Sequence, residues 1–229
     1  AALFGLSTPA AKQLVGGTGP LRLAGLLYLG AAIFVLPVAI KQPRGATILD
    51  RRNRYRLAGA ILFGGILGPV LLLLGLRAAP SSSVSLWLNL EMPATALLAW
   101  LLFHEHLGMR LVAAAGLIVL GGVLLSSPEG FSLGLPGVLV LAACLCWGLD
   151  NNMTSLIDGL SPARTTVIKG IVAGTVNLTL GLFLEPGGLD GSWTYALAVG
   201  GLGYGLSLVL YVSSAQALQA VRSQMIFSS

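Results

Sequence analysis

The chain has 229 residues, of which 55% are hydrophobic and only 9% charged, and its mean hydropathy is +0.88. Soluble domains carry charge on about a quarter of their residues, so this composition excludes an ordinary soluble globular protein and points to a membrane. The net charge of +5 then bears on topology rather than on nucleic acid, because basic residues of membrane proteins sort by side.

Apolar runs at 1–16, 21–40, 57–76, 82–103, 110–126, 134–157, 163–184, 193–213 and 216–229 predict nine spans of an all-α bundle. The first and last are too short to cross a bilayer unaided, so both are expected to be incomplete. The chain opens on Ala1-Ala2-Leu3-Phe4, apolar from the first residue and without Met or a basic leader, which puts the natural start upstream. Turn residues at 16–20, 126–130, 159–162 and 185–188 separate the runs. The 31 glycines spread through the spans suit close helix approach, the packing used where lipid supplies no hydrophobic drive. They are densest at Gly64, Gly65 and Gly68 and at Gly200, Gly201, Gly203 and Gly205. Cys144 and Cys146 lie two apart in one run, on different sides of a helix, and read as packing residues.

Orientation follows from the basic residues. Lys41, Arg44, Arg51, Arg52, Arg54 and Arg56 stand between the second and third spans against the single acid Asp50. That loop, 41–56, is therefore expected to be cytoplasmic. Alternation places Arg110, Arg164 and Arg222 on the same side and Glu129, Glu185 and Asp190 opposite, with Lys12, Arg22 and Arg77 as exceptions. This asymmetry accounts for the basic loop without a nucleic-acid partner.

The fourth span carries the most informative residues, Glu91 and Pro93. Glu91 lies about 13 Å deep at 1.5 Å per residue, where a charge is costly unless paired, protonated or wet. Pro93 removes a backbone donor in a solvent that offers no substitute, which predicts a helix broken around a cavity. Glu91 is read as a proton-exchanging carboxylate facing that cavity, with a helix-packing acid as the alternative. Arg222 is the candidate cation for it, although it should lie nearer the membrane surface. In the sixth and seventh spans Asp150, Asn151, Asn152 and Lys169 are buried about 9–11 Å from the same face. Asp150 and Lys169 are expected to pair, either as a structural bridge or as part of a transport site. Asn89 and Asn177 are expected to bond helix to helix. Trp87, Trp147, Tyr204 and Tyr211 are candidates for a pathway lining, with packing as the competing role. His104-Glu105-His106 lacks the spacing of a helical metal pair and reads as a helix terminus with a short turn tied by Glu105. Ser81, Ser82 and Ser83 read as an N-cap region. No nucleophile–base constellation is visible, so no catalytic residues are assigned.

The chain repeats itself. Phe4-Gly5-Leu6-Ser7 is similar to Trp147-Gly148-Leu149-Asp150 at a spacing of 143, and Phe63-Gly64-Gly65 to Val199-Gly200-Gly201 at a spacing of 136. An odd number of spans per copy turns the second copy upside down, giving two halves, 1–126 and 134–229, with a site between them. Leu90-Glu91-Met92-Pro93, Leu102-Phe103-His104-Glu105-His106-Leu107, the glycine-rich 116–123 stretch and Cys146-Trp147-Gly148-Leu149-Asp150-Asn151-Asn152 together carry a resemblance. The chain resembles the EamA-type branch of the drug/metabolite transporter superfamily, whose members have ten spans in two inverted five-span repeats. The resemblance implies a secondary transporter, an exporter of small polar metabolites in a bacterial inner membrane. It implies no bound cofactor and no metal. It also implies that the rest of span nine and all of span ten are missing from this chain. A non-transporting membrane protein on the same fold, an intramembrane enzyme or a receptor-like binder, is the second function class.

Overall fold

Apolar runs of bilayer length satisfy their backbone polar groups internally only by coiling, and they do so throughout. The computed structural model describes residues 2–42, 50–125, 134–187 and 191–228. Arg44, Glu129 and Asp190 of the orientation argument lie outside the described residues. The helices are α1 (Ala2–Thr18), α2 (Pro20–Lys41), α3 (Arg51–Ala78), α4 (Ser81–Phe103), α5 (Met109–Leu125), α6 (Leu135–Ser155), α7 (Pro162–Leu184), α8 (Trp193–Leu218) and α9 (Ala220–Ser228). Among the described residues there is no strand. Six helices, α2, α3, α4, α6, α7 and α8, are long and apolar enough to cross a membrane. The protein is an integral membrane protein with the all-α fold expected from its sequence.

Prolines open α2, α6 and α7, where the missing N–H removes no intrahelical bond. Asp50 caps α3 by accepting from the Asn53 amide at 2.8 Å, and Ser161 caps α7 by accepting from that of Arg164. The serines at 81–83 do not cap α4. Pro80 occupies the cap position, and no side chain bonds the first turn.

The far ends of four helices are closed by cations. Lys12 donates to the carbonyls of Leu76 and Ala79 at 2.6 and 2.9 Å, at the end of α3. Arg56 donates to Leu156 at 2.6 Å, at the end of α6. Arg22, 1% exposed, donates to Gly181 at 3.1 Å, to Gly187 at 2.8 Å and to the Glu185 carbonyl, at the end of α7. Arg164 donates to Ala39 at 3.4 Å and Gln42 at 3.1 Å, at the end of α2. Each cation meets the negative end of a helix dipole and orphan carbonyls together. Lys12 and Arg22, two of the three exceptions to the charge asymmetry, have this local reason for their positions. The last two caps are reciprocal. Arg22 and Arg164 occupy the third helical position after Pro20 and Pro162, and their Nε atoms bond Gly181 and Ala39, so both donors and both acceptors are 142 residues apart.

Between these clamps α2 and α7 cross with their backbones almost touching. A Cβ on Gly170 would come within 2.8 Å of the Tyr28 carbonyl oxygen, and one on Gly174 within 3.0 Å of that of Gly25. Around this crossing Leu23, Leu27, Leu72, Leu73, Leu76 and Val140 form the apolar core that joins α2, α3 and α6. Since the obstacle at Gly170 is backbone, it cannot move aside. The Gly170→Val variant should lose about 1–3 kcal/mol of stability through overpacking, read as a lowered midpoint of thermal unfolding in detergent.

Candidate functional site

The centre of the bundle is set up by a proline. Pro69 has no N–H, which leaves the Gly65 carbonyl without its α-helical partner and the Gly64 carbonyl without the partner a wider turn would supply. The chain widens there into a π-helical segment, Ile61–Leu67, in which the Gly68 N–H bonds the Phe63 carbonyl. Side chains from three other helices close the gap. Tyr28 and Trp147 both donate to the Gly64 carbonyl, Trp147 at 3.1 Å, and Asn177 donates to that of Gly65 at 3.0 Å. Asn177 thus bonds helix to helix as expected. A second π-helical segment, Gly200–Gly205, falls on the glycine-rich stretch of α8.

Gly64 also makes room for the buried ion pair. A Cβ at that position would collide with the Asp150 carboxylate. Lys169 donates to Asp150 Oδ2, and the Thr154 hydroxyl donates to Oδ1 at 2.9 Å. Both charged residues are 5% exposed, so neither is left to solvent. The expected pairing is present.

On the other side of α6, α4 is broken as Pro93 requires. Its first part ends at Leu88, Asn89 and Leu90 form a turn, and the helix restarts at Glu91. Glu91 therefore sits in the first turn of the second part, where the positive end of the dipole favours a carboxylate. Its Oε1 accepts from Asn151 Nδ2 at 3.0 Å, and the same amide lies 3.3 Å from Thr95 Oγ1 and 3.4 Å from Gln224 Oε1. Asn152 bonds α6 to α4 by donating to the Thr95 carbonyl at 3.0 Å. Gly148 lets the two backbones approach, since a Cβ there would stand 3.1 Å from the Thr95 nitrogen.

These groups face a cavity of about 40 Å³. Glu91, Asp150, Asn151, Ser207 and Gln224 supply its polar lining, and Phe4, Tyr28, Trp147, Tyr204 and Phe227 its aromatic walls. The Tyr211 hydroxyl is buried at the cavity without a hydrogen-bond partner among the described residues. An adjoining cavity of about 160 Å³ shares Phe4, Glu91, Gln224 and Phe227 with it.

The model of the EamA-like transporter family matches residues 1–127. The chain belongs to that family. An uncharacterized transporter of Methanothermobacter thermautotrophicus is 30% identical to it over 203 residues, covering 79% of this chain and 58% of the relative. The chain thus spans less than two thirds of that relative's length. A solved crystal structure has a TM-score of 0.70 at 20% identity, over 98% of this chain and 81% of the other, which shows a shared fold.

Of the pathway residues expected in this EamA-like chain, Glu91, Trp147, Asp150, Asn151, Tyr204 and Tyr211 line the central cavity. Lys169 and Asn152 stand behind it, occupied by Asp150 and by the α4 backbone. Trp87 is not among the lining residues. It is half-buried and packs on the apolar core, and its carbonyl accepts from Cys144 Sγ at 3.7 Å. Asn89, expected to bond another helix, is exposed and donates to Leu86 of its own turn at 3.3 Å. Arg222 does not pair with Glu91 and instead acts on Glu105, whose carboxyl is pushed up by partial burial and drawn down by that guanidinium. His104 closes α4 in the left-handed conformation at φ 53, with its amide and that of Glu105 both directed at the Ala99 carbonyl. A cleft of about 530 Å³ between α4 and α5 includes His104, Glu105 and His106, but the rest of its lining is apolar. Among the described residues no cluster of His, Cys, Asp or Glu could hold a metal ion.

Sequence reasoning missed Tyr28, Thr95, Gln224 and Pro69. The signal for Pro69 was its place directly after the Gly64–Gly68 cluster, where a missing donor and room for a side chain coincide. The ion pair gives a direct test. Asp150→Asn or Lys169→Met alone strands a buried charge and should cost about 3–5 kcal/mol, measured by unfolding in detergent. The exchanged pair Asp150→Lys with Lys169→Asp should recover part of that loss, and a loss equal to both single variants would argue against direct pairing.

Proposed function

We propose that the chain forms the greater part of a secondary transporter that exports small polar metabolites. Two inverted halves, 1–126 and 134–229, would carry the site between them. The observation that carries the reading is the meeting of Glu91 and Thr95 from the first half with Asn151, Asn152 and Gln224 from the second, at a buried cavity. Family membership and the transporter-named relative support transport as the class of activity. The reciprocal arginine caps and the two glycine-rich π segments support the repeat, because each recurs in the other half near the spacing seen in the sequence.

The geometry suits alternating access. Asn151–Glu91 and Asn152–Thr95 are bonds between the halves, whereas Lys169–Asp150 lies within the second half. Rocking one half on the other would break the first set and leave the ion pair intact. Glu91 would then be released from its amide partner in one state and held in the other, as a coupling carboxylate requires.

Counterflow of a labelled metabolite in proteoliposomes, with the full-length protein, tests transport itself, and the side that is loaded tests its direction. Glu91→Gln tests the coupling role. The Gln amide oxygen can still accept from Asn151, so the fold should persist, but the side chain can no longer carry a proton. Net uphill flux in this variant should lose its dependence on pH. An unchanged pH dependence in the folded variant would remove Glu91 from the coupling step.

A further inference from the structure

The lining of the central cavity brings two carboxylates together with one ammonium close by. Glu91 and Asp150 both face the cavity, the ammonium of Lys169 is bonded to Asp150 and reaches Glu91 only through space, and the hydrogen bonds of Glu91 with the described residues include no basic side chain. Asn151 gives Glu91 a neutral donor, which steadies the carboxylate without cancelling its charge. Buried in a membrane, an ionised Glu91 calls for a proton or a cation from elsewhere.

The walls are suited to one kind of cation. The Phe4 ring stands edge-on to Trp147 and Tyr204, with centroids 6.0 and 5.2 Å away, and meets Phe227 at 5.8 Å. Tyr28 and Tyr211 extend the cluster through Tyr204 and Phe227. Aromatic faces attract ammonium groups, and quaternary ammoniums most characteristically, because their negative quadrupoles need no hydrogen bond from the ligand. An inorganic cation would draw on the oxygens of the lining alone and gain little from the rings. A second observation points independently to a ligand: the Tyr211 hydroxyl, in a residue only 7% exposed, has no hydrogen-bond partner among the described residues. A phenolic oxygen can accept from an ammonium N–H or lie against a methylated one.

We propose that this cavity and the adjoining one of about 160 Å³, joined at Phe4, Glu91 and Phe227, together bind an organic ammonium, with the cation held by Glu91 and the aromatic walls and Tyr211 as an added contact. The inference rests on the transporter reading for its purpose, but binding can be measured without transport. Benzylammonium, benzyl alcohol and benzoate share one ring and differ in charge, so they isolate the claim. With the full-length protein in nanodiscs, labelled benzylammonium should bind saturably, be displaced by tetramethylammonium, and resist displacement by benzyl alcohol and benzoate. Glu91→Gln should weaken it roughly 30-fold or more, as expected for removing one member of a buried charge pair. Tyr211→Phe should weaken it several-fold while leaving thermal stability unchanged or raised, since it deletes a hydroxyl that has no hydrogen-bond partner among the described residues. Equal binding of the three ring compounds, no binding of benzylammonium, or an unchanged affinity in Glu91→Gln would overturn the proposal. Counterflow of neutral or anionic metabolites without amine binding would sink this inference and leave the transporter reading standing. Amine binding without counterflow of any metabolite would do the reverse.

Discussion

A carbonyl without an amide partner inside a bilayer must find a side chain, because no water is there to take the amide's place. Pro69 creates that demand at Gly64 and Gly65, and much of the centre of this protein answers it. Tyr28 of α2, Trp147 of α6 and Asn177 of α7 all converge on the widened turn of α3. Their arrival fixes the four helices around one point, and the bare backbone of Gly64 admits the Asp150 carboxylate to the same place. A substitution of Pro69 would therefore act on the ion pair and the cavity as well as on α3.

The same rule operates at the helix ends. Four cations close the carbonyl termini of α2, α3, α6 and α7, two at each end of the bundle. Basic residues here are fasteners as well as topological markers, so a count by side alone misreads Lys12 and Arg22. The reciprocal pair, Arg22 on α7 and Arg164 on α2, clamps both ends of the close α2–α7 crossing.

The two buried carboxylates have been given different tasks by their neighbours. Asp150 has an ammonium on one oxygen and a hydroxyl on the other, so its charge is engaged between α6 and α7. Glu91 has one amide from α6 and the start of a helix behind it. The first arrangement suits a strut. The second leaves a carboxylate with one neutral donor, which is the arrangement the proposed coupling role calls for.

Composition and run length determined on their own that the chain is an all-α membrane protein, and where its helices lie, because the bilayer imposes length and apolarity on each segment locally. Glu91 and Pro93 marked the broken helix for the same reason: a carboxylate and a missing donor are costly wherever they occur at depth. The Asp150–Lys169 pair was legible because two opposite charges at similar depth have few other solutions. Tertiary structure alone decided which polar groups meet. Asn89 and Asn177 are alike in sequence terms, yet one bonds its own turn in an exposed position and the other crosses to α3. Trp87 and Trp147 were equal candidates, and only Trp147 faces the cavity. Gln224 and Tyr28 carried no local mark at all. Partner choice depends on how helices distant in sequence rotate and cross, and that is set by glycine contacts such as Gly170 on Tyr28. Such contacts are properties of pairs of helices, and no single segment encodes them.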